Sequence, residues 1–159
     1  MMDLDNVVSN YQSLVATAGA ILSELSWDPG AAATPPPAFQ AVGDPIYDVG
    51  RGGPIHCFVK VVEEFDSAGD AVTCQCALVM ADNAALSSNL TVLYETPAIA
   101  QAVLLVGYQF RMGVLPPGMT RRYVGYRYTT AGADATAGQV FAAFLPTPPP
   151  QVRVTSSLS

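Results

Sequence analysis

Between Arg121 and Leu145 the chain runs RRYVGYRYTTAGADATAGQVFAAFL. Val124, Tyr126 and Tyr128 alternate with Gly125, Arg127 and Thr129. That period of two puts one side of a strand into a core and leaves the other at a surface. A second apolar run covers Val140 to Leu145, and the residues between the runs, Ala131 to Ala137, are small. The two runs predict an antiparallel hairpin with aromatic and β-branched side chains on its inner face. A chain built around such a unit must place further strands against that face.

Those strands are visible upstream. Ile55 to Glu63 alternates, with Ile55, Cys57, Val59 and Val61 on one face and His56, Phe58, Lys60 and Val62 on the other. A polar turn is expected from Glu64 to Ala71, centred on Asp66-Ser67-Ala68-Gly69-Asp70. Thr73 to Met80 then places Cys74, Cys76, Leu78 and Met80 inward. Asp82 to Asn89 is short, small and polar and is expected to form a single helical turn, Thr91 to Tyr94 forms a brief strand, and Pro97 ends it. Ala102 to Val106 is apolar at every position, which predicts a segment that is central or covered on both sides. Tyr108, Phe110 and Met112 alternate with Gln109 and Arg111, and Pro116-Pro117-Gly118 makes a tight turn. Seven or eight short strands separated by turns imply a two-sheet sandwich or jelly roll.

The flanks differ. Apolar residues at 4, 7, 8, 11, 14, 15, 18, 22 and 25 match a helical stripe that Asp3 would cap. Gly19, Val15, Thr17 and Ile21 are poor helix formers. Residues 28–45, DPGAAATPPPAFQAVGDP, form a Pro-rich loop or linker with an extended path. Arg51-Gly52-Gly53-Pro54 is a turn and too short for an RNA-binding box. The tail 146–159 leaves the domain, with Gln151 to Thr155 able to pair as a short strand. The division is thus 1–27, 28–45, a β-sandwich core at 46–145, and the tail.

A chain of 159 residues is one domain's worth, able to bury roughly 70% of its unfolded surface. Half its residues are apolar and 13% are charged, as in a packed globular protein. No apolar run is long enough for a membrane span, and acidic Asp3 and Asp5 stand where a secretory leader would be basic. An intracellular origin is the expectation. Residues 1–100 hold 12 acids and 2 bases, whereas 101–159 hold 1 acid and 5 bases. A pI near 4.4 argues against nucleic acid as a partner. The asymmetry reads either as solvated turns and edges or as a polarised surface that orients a partner.

Residues with chemical potential are few. Cys57, Cys74 and Cys76 lie on inward faces, and alternation puts His56 on the opposite side of its strand from Cys57. Core thiols are the plainer reading than a metal site, and the odd count suits a reducing compartment. A catalytic triad or dyad built on histidine would have to use His56, around which no such pattern forms. Glu63, Glu64 and Asp66 read as a solubilising strand end. No phosphate loop or nucleophile elbow is present, so neither catalysis, cofactor nor metal is expected.

The segments LVMADNAALSS and TVLYETPAIA, then LPPG, RRYVGYRYT and AGQVFAAFL, resemble the capsid cement (decoration) proteins of tailed bacteriophages, in particular the Bordetella phage cement-protein family. QSLVATA at Gln12 to Ala18 is similar to that family's opening, and the likeness covers most of Gln12 to Leu145. It implies a jelly-roll β-sandwich, all-β and antiparallel, with extended N- and C-terminal arms. It implies a homodimer on the outside of the virion capsid that ties neighbouring subunits of the major capsid protein together. It also turns residues 12–25 from helix to an extended arm plus a strand at Ile21 to Leu25. The Pro-rich insert and the tail exceed the family pattern. The rival is a jelly-roll recognition module for a glycan or receptor, for which Tyr123 and Trp27 would supply the exposed rings.

The interface candidates follow from charge and turn geometry. Arg111 ends one strand and Arg121 and Arg122 begin the next, so the tight turn between them is expected to gather three guanidiniums at one end of the sandwich. Val152 and Arg153 in the tail are the remaining candidates.

Overall fold

The computed structural model describes residues 7–28, 54–116 and 119–145. Most of the Pro-rich loop, the RGG turn, Pro117-Gly118 and the tail with Val152 and Arg153 lie outside the described residues. The strands are β1 (Val7–Ser13), β2 (Gly19–Leu22), β3 (His56–Ser67), β4 (Thr73–Ala81), β5 (Thr91–Glu95), β6 (Ile99–Ala100), β7 (Gln109–Phe110), β8 (Tyr123–Ala131) and β9 (Ala135–Leu145).

They form two antiparallel sheets, one ordered β1-β9-β3-β7 and the other β2-β8-β4-β5, with β6 on the edge of β4. The pairings nest. β4 pairs with β5, β3 with β7, β2 with β8 and β1 with β9. A long antiparallel double strand wrapped over itself has this connectivity, which is the jelly roll expected from the strand count. The inner faces meet in one core containing Val59, Val61, Cys76, Leu78, Val124 and Tyr126, all fully buried and all placed inward by the alternation.

β8 and β9 are not a hairpin. β8 lies between β2 and β4 while β9 lies between β1 and β3, so the chain changes sheets at Gly132–Asp134. Alternation says which face of a strand is buried; it does not say which strand lies beside it. The corner requires glycine. Gly132 has φ +90°, and a Cβ there would stand 2.2 Å from the Ala71 carbonyl oxygen on the neighbouring β3–β4 turn.

The N-terminal stripe is strand rather than helix or free arm. β1 pairs with β9 through two register shifts, and Tyr11 adopts φ 55°. Bulges insert extra residues into the alternation, so Val7, Val8 and Leu14 are all buried at helix-like spacing. β2 begins at Gly19, slightly before the strand expected from Ile21. β3 likewise runs on through the expected turn to Ser67, with irregularities after Val61 that expose Glu63 and Glu64 and bury Phe65.

β4 is buried on both sides. Its outward Ala77, Val79 and Ala81 are roofed by Leu86 from the loop 82–90, with Leu22, Leu90 and Tyr123 around it. This loop is a turn and not a helix; Asn83 Oδ1 accepts the Ser87 and Ser88 amides, and Leu86 N–H donates to the Asn83 carbonyl. Gly125 leaves the space Leu86 fills, since a Cβ there would come within 2.4 Å of Leu86 Cδ1.

The run Ala102 to Val106 is the reverse of what its composition predicts. Gln101–Val103 is a single 3₁₀ turn, Leu104 is buried, and Val103, Leu105 and Val106 are 50%, 54% and 64% exposed. The backbone crosses the edge of β3, with Phe65 N–H donating to Leu104 O and Gly107 N–H to Val61 O. Leu104 alone among residues 101–107 is buried.

Candidate interaction surface

The chain's three thiols are free and buried in the interior. Burial pushes Cys57 up to about 11, against a hydrogen bond with Tyr126 that lowers it, and pushes Cys74 up to about 12. Cys76, wholly enclosed beside them, is also raised well above the usual thiol range, first by burial and then by the neighbouring thiols. Tyr126 and Tyr128 are raised by the same loss of water; Tyr128 Oη and Ser9 Oγ lie 2.9 Å apart in a hydrogen bond. His56 stands on the other side of β3 from Cys57, as alternation requires. Among the described residues no group of three His, Cys, Asp or Glu side chains gathers to hold a metal ion, and no helix is long and apolar enough to cross a membrane.

The C-terminal arginines are engaged by acids from the first hundred residues. Arg121 Nη1 donates to Asp82 Oδ1 at 2.6 Å, and Asn89 Nδ2 donates to the other carboxylate oxygen. The Asn89 bond first, and Arg121 second, hold Asp82 below the usual carboxylate range. Arg122 grips Asp28 through Nε and Nη2 at 2.7–3.1 Å and lies 5.3 Å over the Tyr123 ring. Arg127 reaches Glu95 at 3.3 Å. Charges separated along the sequence are therefore interleaved in space. Arg111 stands exposed at the end of β7. Trp27 lies against Phe144 with centroids 5.2 Å apart, and Tyr123 is half-buried beside the Leu86 roof, so neither ring lines a shallow open groove.

The two outer faces of the sandwich differ. The β2-β8-β4-β5 sheet carries its own roof. The β1-β9-β3-β7 sheet instead presents a row of rings across three strands, with Tyr11 and Phe141 at 6.4 Å and Phe58 and Phe141 at 6.3 Å, both edge to face. Lys60 pairs in register with Phe141 on one side and Gln109 on the other, and exposed Arg111 follows Phe110, the partner of Val59. Farther along β3 the same face sinks into an open groove of about 970 Å³, lined by Val62, Glu64, Asp66, Asp70, Leu105 and Val106. Alternation indicated that Phe58 and Lys60 point outward. The ring row across β1, β9 and β3 depends on strand order, and the groove depends on the β3 bulges, neither of which leaves a periodic signal.

Comparison with known families places residues 38–145 under the family description Bbp16. That span takes in β3 to β9 and stops at the last residue of β9. No curated protein matches the chain.

Proposed function

The chain belongs to the Bbp16 family, which is named after a Bordetella phage protein, and on that premise we propose that it is a capsid cement protein: a virion structural protein that binds the outside of an icosahedral shell and bridges neighbouring capsid subunits. The observation that carries this reading is the unequal treatment of the two sheets. One outer face is covered over Ala77, Val79 and Ala81 by Leu86 and its loop, with Val92 and Tyr94 exposed on its β5 strand, and the other leaves aromatic rings, aliphatic side chains and both signs of charge open to contact. Contiguous apolar groups rimmed by polar ones are what a protein partner needs.

The work is done by contact rather than by catalysis. A molecule that binds only the assembled lattice stabilises it by mass action, and one that spans two lattice sites gains from effective concentration. Partners on this reading are the major capsid protein and a second copy of the chain, on the outer capsid surface, with neither nucleic acid nor membrane involved. The test is to add purified protein to particles lacking it. Saturation at a number of copies fixed by the shell's symmetry, with genome release moved to higher temperature, is the expected result. Protein that stays in the supernatant, or that is found at the tail, overturns the reading.

A further inference from the structure

The open face of the β1-β9-β3-β7 sheet changes character along the strands. β9 ends at Leu145, paired with His56, and two residues farther along β3 the ring row of Phe58, Phe141 and Tyr11 begins. Beyond the rings the face becomes the groove, where Glu63, Glu64, Asp66 and Asp70 stand among Val62, Leu105 and Val106. Glu63 and Glu64 join no ion pair among the described residues, and Leu105 and Val106 are mostly exposed. The groove therefore suits an extended segment that is both aliphatic and basic.

We propose that the chain's own C-terminal segment, 146–155, straps back across this face. Pro148, Pro149 and Pro150 lie on the rings, and Val152, Arg153 and Val154 enter the groove. The order of the segment, PTPPPQVRVT, matches the order of the face. A proline run in its preformed extended helix packs on aromatic rings at little entropic cost, and its neutral residues suit the stretch beside Lys60. Pro146 cannot continue a strand that has β1 on one side and β3 on the other, so the chain leaves the sheet there. The lengths agree as well. Glu64 lies eight residues along β3 from His56, about 26 Å at the rise of a strand. Arg153 lies eight residues beyond Leu145, about 25 Å at the rise of a polyproline helix, and its long side chain covers what the reversal uses. Charge selects this segment over the others outside the described residues. Residues 1–6 carry Asp3 and Asp5 and no base, and 29–53 carry Asp44 and Asp48 against Arg51. The segment 146–155 carries Arg153 and no acid, and it alone complements a groove lined by four carboxylates. It starts where the family match stops. The inference rests on the cement reading for its purpose: the strap covers the contact face of the free chain and gives it up to the shell.

The test is a nitroxide label on the full chain. Ser156→Cys supplies an exposed thiol while the native three are buried, and the label broadens the amide signals of whatever lies near it. Leu105 and Val106 are expected to lose most of their intensity at low salt and less at high salt. Glu63→Lys with Glu64→Lys is expected to restore that intensity, and adding Arg153→Glu to bring the loss back. If the lysine variant does not fold, Glu63→Gln with Glu64→Gln replaces it, with a smaller recovery expected. Intact signals in every sample, or a loss that the charge changes do not move, overturn the inference. Mixing spin-labelled chains with isotope-labelled chains that carry no nitroxide separates the two possible sources of the tail. A loss in that mixture gives the groove to the tail of another copy and overturns the inference as well. Particle binding is read apart: a tail that never reaches the groove leaves the cement reading standing, and a strapped chain that binds no particle sinks that reading alone.

Discussion

Tyr126 of β8 and Phe144 of β9 lie nearly parallel, 13° apart with ring centroids at 5.2 Å, one from each sheet. Both are fully buried, and Trp27 closes the other side of Phe144. This contact joins the two sheets at the centre of the core. Phe144→Ala is expected to cost about 3–5 kcal/mol, the range for truncating a buried aromatic ring. Phe58→Ala, on the open face, should cost much less. Urea unfolding of the two variants checks the contrast, and equal losses would mean that the open face is a second core.

Gly132 separates two reasons for needing glycine. Gly69 and Gly132 both have positive φ, but a Cβ on Gly69 meets nothing within 4 Å whereas one on Gly132 meets the Ala71 backbone. Gly69→Ala carries only the conformational strain, about 1 kcal/mol. Gly132→Ala must also move the β3–β4 turn, so it should be clearly more destabilising. Thermal melts of the pair give the order.

The buried thiols impose a limit at alkaline pH. Cys57 titrates near 11 and Cys74 near 12 in the folded chain, against about 9 when unfolded. Above pH 9 the unfolded chain releases these protons and the folded chain does not. Stability therefore holds below pH 9 and falls as pH rises from 9 toward 11, by at most about 1.4 kcal/mol per unit for each thiol. In the native protein at neutral pH all three should react slowly with a thiol reagent, and quickly in denaturant. Replacing Cys57 and Cys74 by Ala should flatten the alkaline slope; an unchanged slope would assign it to Cys76, Tyr126 and Tyr128.

What the sequence disclosed was local and what it concealed was relational. The inward faces of β3, β4 and β8 follow from a period of two, because burial on one side of a pleat writes itself into every second residue. The pairing of β8 with β4 and β2 in place of β9 leaves no such mark. Bulges in β1 turned a strand into the spacing of a helix. The exposed Leu105 and Val106 read as interior because an apolar run is ordinarily buried against its own chain; here the run instead forms one wall of an open groove. The candidate arginines were identified by type and by position near a turn, yet their partners Asp82 and Asp28 come from distant segments that only the wrapped topology brings close.

Arg121 and Arg122 allow attachment to be measured separately from folding. Their pairs with Asp82 and Asp28 are partly exposed, and pairs of that kind add little to stability. Replacing both by Glu sets like charges side by side at the start of β8, so a modest loss in the melting temperature is expected while the core stays intact. On the cement reading the same change removes two positive groups from a strand end near the Leu86 loop. Occupancy on particles should fall while self-association is unchanged, and the fall should be larger at low salt, where screening is weakest. Co-sedimentation with particles across a salt series reads the first quantity, and sedimentation equilibrium reads the second. Equal occupancy of the variant and wild type at every salt concentration would remove these arginines from the capsid contact and leave them as turn residues neutralised by their own chain.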